Sequence, residues 1–387
     1  MTAAGRPDGG HSGTIAIAAL AGIVAFAAAV GFPGKLSRKM PDLEVYWTAA
    51  ARARAAEPLY RSEDGHYQFK YLPAFAVLTA PAARVPLQSA KPAWFAISVV
   101  LLVALLGLSA SLLPDRRQPA WWLIGGALIV MLKFYGHELV LGQMNALFAV
   151  LVVSAVLNMR RGREAAAGIL LAIAIVVKPY AIIFAPWVLA RRRPASIAAL
   201  AIGTLALLIV PAVRYGIGGD ADLHRAWWKT VTESTAPNLT NADNVSVAAM
   251  WTKWIGSGRP ATLLSTVTGV ALLATAAWLF LRRRAVAFPE GLEAAVLLTF
   301  IPLLSPQGWD YVFLVATPAV VFILNYFSDL SPPLRAAVAG ALVLTGFTLY
   351  DIMGRAAYSR FMMLSVITVC FFVLVAALAA IRLRGAA

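Results

Sequence analysis

The sequence predicts an all-α, polytopic membrane protein, and three observations predict it. Of 387 residues, 60% are hydrophobic and only 13% charged, against about 25% charged in ordinary soluble domains. The apolar residues are gathered into runs near 13–33, 90–113, 119–135, 138–158, 164–178, 180–190, 195–213, 261–281, 291–304, 309–328, 335–352 and 359–381. Such runs are the signature of helices built for a bilayer. The arginines cluster between them, at Arg116–Arg117, Arg160–Arg163, Arg191–Arg193, Arg282–Arg284 and Arg382–Arg384, as short cytoplasmic loops require. The net charge of +15 therefore reports topology and not a nucleic-acid partner.

Taken in order, the first run, about Gly13 to Phe32, lacks a distinct cleavage pattern and is read as a retained first helix. With the N-terminus inside, alternating spans place every arginine cluster in the cytoplasm. One domain over 1–387 with about ten to twelve spans satisfies them all. The pair of runs around Lys178 is short enough to be one broken helix. The stretch Leu72 to Pro86 is too short to cross and carries Pro73, Pro81 and Pro86, so it is read as an amphipathic helix on the outer interface. Two long loops then face outward, 34–89 and 214–260, and loops of that length commonly carry function.

Familiar soluble chemistry is missing from the sequence. The single cysteine, Cys370, excludes a disulfide framework and a cysteine metal site. The "GIGGD" at Gly216 follows no strand, and there is no P-loop and no HExxH. The "NLT" and "NVS" at Asn238 and Asn244 are short enough to be chance matches to a glycosylation acceptor.

What remains is a set of polar residues next to apolar runs. Asp42 and Glu44 follow the first run, where each is either a solvated loop charge, paired with Arg38 or Lys39, or a general base. His66, Lys70 and Tyr71 precede the interfacial stretch and also suit headgroup anchoring. His137 and Glu138, then Gln143 and Asn145, interrupt another run, where amides also serve to join helices. Lys178 beside Pro179 either snorkels or neutralises an anion at a helix break. Trp309, Asp310 and Tyr311 stand at the mouth of a later span. On the threading above, all of these lie toward the outer face.

Five stretches in order, Asp42 to Tyr46, Phe69 to Pro73, Gly142 to Asn145, Lys178–Pro179 and Ser305 to Asp310, resemble the motifs of glycosyltransferase family 87. These are polyprenyl-phosphate-mannose-dependent α-mannosyltransferases of the GT-C fold. Two positions depart from the family pattern: Leu72 replaces a proline, and Tyr311 stands where the family has histidine. The resemblance implies a GT-C helical bundle in the cell membrane with its active site on the extracytoplasmic side. It implies a polyprenyl-phosphate sugar donor and a lipid or glycan acceptor. No cofactor and no metal ligands are expected, since no dense acidic cluster in the sequence demands a divalent ion. Asp42 would then be the base of an inverting attack, with Glu44 its rival. Lys178 would hold donor phosphate, and Tyr46, Lys70, Tyr71, His137, Gln143, Asn145, Trp309, Asp310 and Tyr311 would bind substrate or shape the site. Another polyprenyl-phosphate sugar, such as arabinofuranose, and a lipid or sugar transporter or flippase stay open as alternatives.

Overall fold

The computed structural model describes residues 38–281 and 288–383. The first apolar run, the Arg282–Arg284 cluster and Arg384 lie outside the described residues. Among those described the chain is helical, and the sole β-bridge joins Asn244 to Trp309.

Helix α1, Pro41–Ala55, is the first described α-helix and packs on the short α2, Pro73–Thr79. The long α3, Leu87–Ser111, follows. Three helical hairpins come next. In the first, α4, Ala120–Leu141, turns at Gly142 into α5, Asn145–Arg160. In the second, α6, Glu164–Val177, reverses at Lys178–Pro179, and α7, Phe184–Ala190, returns. Helix α8, Pro194–Ile209, then bends by 91° into α9, Ala212–Glu233. After α10, Val247–Ile255, and α11, Arg259–Leu281, the third hairpin joins α12, Pro289–Leu304, to α13, Thr317–Asn325, through 305–316. Helices α14, Pro332–Phe347, α15, Tyr350–Met363, and α16, Val366–Leu383, close the chain.

The hairpins are written in the backbone chemistry. Proline clashes with a helical conformation in the residue before it. Lys178 accordingly has extended angles, φ −146° and ψ 114°, and Ser305 before Pro306 has ψ 125°. Gly142 takes φ +71°, and a Cβ there would lie 2.8 Å from Leu43 Cβ and 3.1 Å from Met40 Cβ. Only glycine allows α1 to start so close to the first apex. At the other end of the bundle, Arg193 bonds Glu164 at 2.9 Å, Arg191 pairs with Glu290, and Arg117 pairs with Asp329. The short arginine loops and the apices therefore occupy opposite ends.

Among the described residues four helices, α3, α4, α11 and α16, are long and apolar enough to cross a membrane, and two bent pairs raise that to six. The ten to twelve spans expected from the apolar runs also count the first run, outside the described residues, and several shorter helices. The difference lies in helix length: α5 with 16 residues rises about 24 Å, short of the ~30 Å hydrocarbon core. The Lys178 pair is also not one broken helix. Glu164 and Arg193, at the two feet, are joined, so the chain climbs to Lys178 and returns. The stretch 73–84 does not cross; Pro73, Ala74, Phe75 and Ala76 are buried, so this segment is held by the protein more than by the interface.

Candidate active site

The three apices, the start of α1, the loop before α2 and the end of α9 enclose a cavity of about 620 Å³. Asp42, Tyr46, His66, Lys70, Tyr71, Gln143, Lys178, Gln307, Trp309 and Tyr311 reach it. Its rim is apolar where exposed Ile182 and Trp228 stand.

Gln143, at the first apex, organises the acidic wall. Its Nε2 donates to Asp42 Oδ2 at 2.6 Å and lies 3.3 Å from the Tyr311 hydroxyl. Its Oε1 accepts from Tyr46 at 3.2 Å and from Tyr71 at 3.5 Å. The tyrosine hydroxyls are themselves 2.7 Å apart. The amide thus has one orientation, because a carboxylate needs a donor and the phenols need an acceptor. The apex is locked from beneath. Glu138 accepts from the Asn145 side chain at 2.8 Å and from Ala146 N at 2.7 Å, an acid closing the start of α5.

The opposite wall is cationic. Lys178 Nζ lies 5.2 Å from the centre of the Tyr71 ring. Lys70 donates to Gln307 Oε1 at 3.3 Å, and Gln307 in turn donates to Ser234 and Thr235. Trp227 pins the backbone by donating to Lys70 O at 3.1 Å. Burial pushes the Asp42 pKa above the usual carboxylate range; the Gln143 bond and the charges of Lys178, His66 and Lys70 pull it back. Burial lowers the Lys70 pKa, and Asp42 opposes that. The pocket therefore holds a carboxylate of heightened basicity facing cations that no described carboxylate contacts directly.

Not every residue singled out in the sequence reaches this cavity. Asp310 is buried behind it, 3.0 Å from Lys133 and 3.4 Å from His137, so Asp310 and His137 form a second cluster. Its neighbour Lys253 donates to Ala242 O, Asn244 O and Met362 O. Asn145 is fully buried against Glu138. Glu44 projects from another side of α1, 3.7 Å from Lys91. Asn244 has no exposed surface and donates to Asn238 O and Pro306 O, so the folded chain offers no glycosylation acceptor there.

Sequence reasoning named His66 without giving it a place in the site, and it overlooked Tyr180, Trp227, Trp228 and Gln307 as cavity residues. Gln307 sat inside the Ser305–Asp310 stretch and was the most findable. The tryptophans belong to an amphipathic helix in a long loop, and no local pattern says which apex that helix covers. Among the described residues no three His, Cys, Asp or Glu side chains gather to hold a metal ion.

Among individually curated proteins, no sequence matches this chain as a relative. The model of glycosyltransferase family 87 matches residues 69–306, a stretch that includes Lys70, Gln143, Lys178 and the start of the third apex. The chain belongs to glycosyltransferase family 87 and is a membrane-embedded glycosyltransferase.

Proposed function

We propose that the protein transfers mannose from a polyprenyl-phosphate donor to a hydroxyl of a lipid or glycan acceptor, with inversion, at the extracytoplasmic face of the cell membrane. The observation that carries this reading is the placement of Asp42 opposite Lys70, Lys178 and His66 across a cavity with an apolar rim. A phosphate leaving group needs cations and little acid assistance, so one carboxylate suffices where glycoside hydrolysis commonly uses two. Asp42 takes the acceptor proton as its oxygen attacks the anomeric carbon. The bond from that carbon to the phosphate oxygen breaks, and the phosphate leaves with the electron pair. Lys178 and Lys70 balance its charge where water is scarce.

Support for the outer face comes from the basic loops at the far end of the bundle; support for mannose comes from the family motifs alone. Exposed Ile182 and Trp228 beside the cavity suit a lipid-linked donor arriving from the bilayer.

Purified protein in liposomes, given radiolabelled polyprenyl-phosphate mannose and a panel of lipid and glycan acceptors, tests the reading. Label should move to an acceptor with wild type and not with Asp42→Asn. Label crossing sealed vesicles without being transferred would instead make this a transporter.

A further inference from the structure

A second cavity, of about 340 Å³, lies on another side of α1 and is lined by Pro41, Glu44, Val45, Thr48, Arg52, Asp64, Tyr67 and Phe69. The helical period explains why. Residues 41, 44, 45, 48 and 52 form one stripe of α1, whereas 42 and 46 point toward the first cavity. Val45 and Tyr67 line both spaces. The helix that carries Asp42 is therefore a partition between two chambers.

The two chambers differ in chemistry. The first presents Lys70, Lys178 and His66 to its single acid. The second holds two carboxylates, Glu44 and Asp64, against one guanidinium, Arg52. That guanidinium is already spent: Arg52 bonds Asp64 through two nitrogens, at 2.5 and 2.8 Å. With Arg52 bonded to Asp64 and Lys91 3.7 Å from Glu44, the charges here offset one another, and a phosphate finds no excess of cations to hold it. A neutral polyol needs none. Among the described residues the Glu44 carboxylate meets Lys91 alone, at 3.7 Å, and it is half exposed, so its oxygens are open to hydroxyl donors. Neither the Thr48 nor the Tyr67 hydroxyl is bonded to another described residue. The Tyr67 ring is exposed and offers a flat apolar face for the C–H side of a sugar ring. The volume suits a small ligand with a few fixed polar contacts.

We infer that this chamber is the acceptor subsite, holding a neutral hexopyranose ring of the acceptor against the Val45–Tyr67 border of the two spaces, with the reacting hydroxyl reaching past that border toward Asp42. The inference rests on the transferase reading for its word "acceptor", but the binding of a sugar here stands on the chamber alone. Glu44 is then a sugar-binding residue and not a second base. The partition also gives a physical reason for two substrates with different charge to meet at one carboxylate: each is sorted by its own chamber.

Two measurements test it. In the liposome assay, Glu44→Gln and Thr48→Trp, the latter filling the chamber, should raise the acceptor KM about tenfold or more and leave the donor KM unchanged. A shift in donor KM with acceptor KM unmoved would overturn the assignment. Saturation-transfer NMR with methyl α-mannopyranoside and detergent-solubilised protein provides the second readout. Signal should be seen with wild type and with Asp42→Asn and be lost in Thr48→Trp. If transfer fails with every donor but this pattern holds, the transferase reading falls and the sugar site stands. Equal signal in wild type and Thr48→Trp, or no signal in either, sinks the sugar site whatever the transfer result.

Discussion

Two clusters of one acid, lysine and histidine flank the third apex, and they have opposite fates. Asp310 lies between Lys133 and His137, at 3.0 and 3.4 Å, with the carboxylate and the lysine almost wholly buried. Asp42 has an amide as its close partner, and Lys178, Lys70 and His66 face it across open volume. The same side-chain chemistry therefore serves architecture in one place and leaves charge available in the other. The difference is whether the opposite charges touch. A contacting buried pair is neutral and inert toward substrate, and it resists change because losing either member strands the other. Charges held apart by a cavity invite a ligand that completes them.

The comparison breaks most visibly at the two acids themselves. Asp42→Asn should lower the transfer rate about 10²–10⁴-fold, the usual contribution of a positioned base, while the thermal midpoint of the purified protein stays put. Lys133→Met should do the reverse. It should cost about 3–5 kcal/mol of stability by stranding Asp310, seen as a large drop in thermal midpoint. Adding Asp310→Leu should recover much of that loss. If Lys133→Met instead left stability intact and abolished transfer, the second cluster would have to be counted as part of the catalytic machinery.

Smaller changes sharpen the contrast. Gln143→Leu removes the strongest contact favouring ionised Asp42, so the carboxyl pKa rises further. The base works only when deprotonated, so the acid limb of the pH–rate profile should move to higher pH. The rate at neutral pH should fall about 10- to 100-fold as orientation is lost. An unmoved acid limb would show that the limb belongs to another group. Tyr311→Phe deletes a hydroxyl 3.3 Å from the Gln143 amide. One net hydrogen bond is worth about 0.5–1.5 kcal/mol, which corresponds to a rate change of about two- to tenfold. A larger loss would mean that the tyrosine hydroxyl meets substrate directly.

The class of the protein was legible in its composition, because burying so many apolar runs in water has no solution without a bilayer. The breaks at Lys178 and near Ser305 were legible too, as gaps between apolar runs, whereas the turn at Gly142 lay hidden inside the 138–158 run. X–Pro steps at Lys178 and Ser305 and the glycine at 142 act locally, through sterics that a linear reading can apply. The short motifs likewise named Asp42, Gln143 and Lys178 as residues of interest. Tertiary structure decided the rest. The sequence could not say that the two segments around Lys178 fold back as a hairpin, because that depends on Arg193 reaching Glu164. The rank of Asp42 above Asp310 came from the family motifs and not from the residues' own surroundings, since each acid lies near a lysine and a histidine only in space. Asp42 meets Gln143 across 101 positions, and Lys70 meets Gln307 across 237. Helical period assigns Asp42 and Glu44 to different sides of α1, but only packing puts a cationic chamber on one side and a chamber of charge-paired acids and hydroxyls on the other.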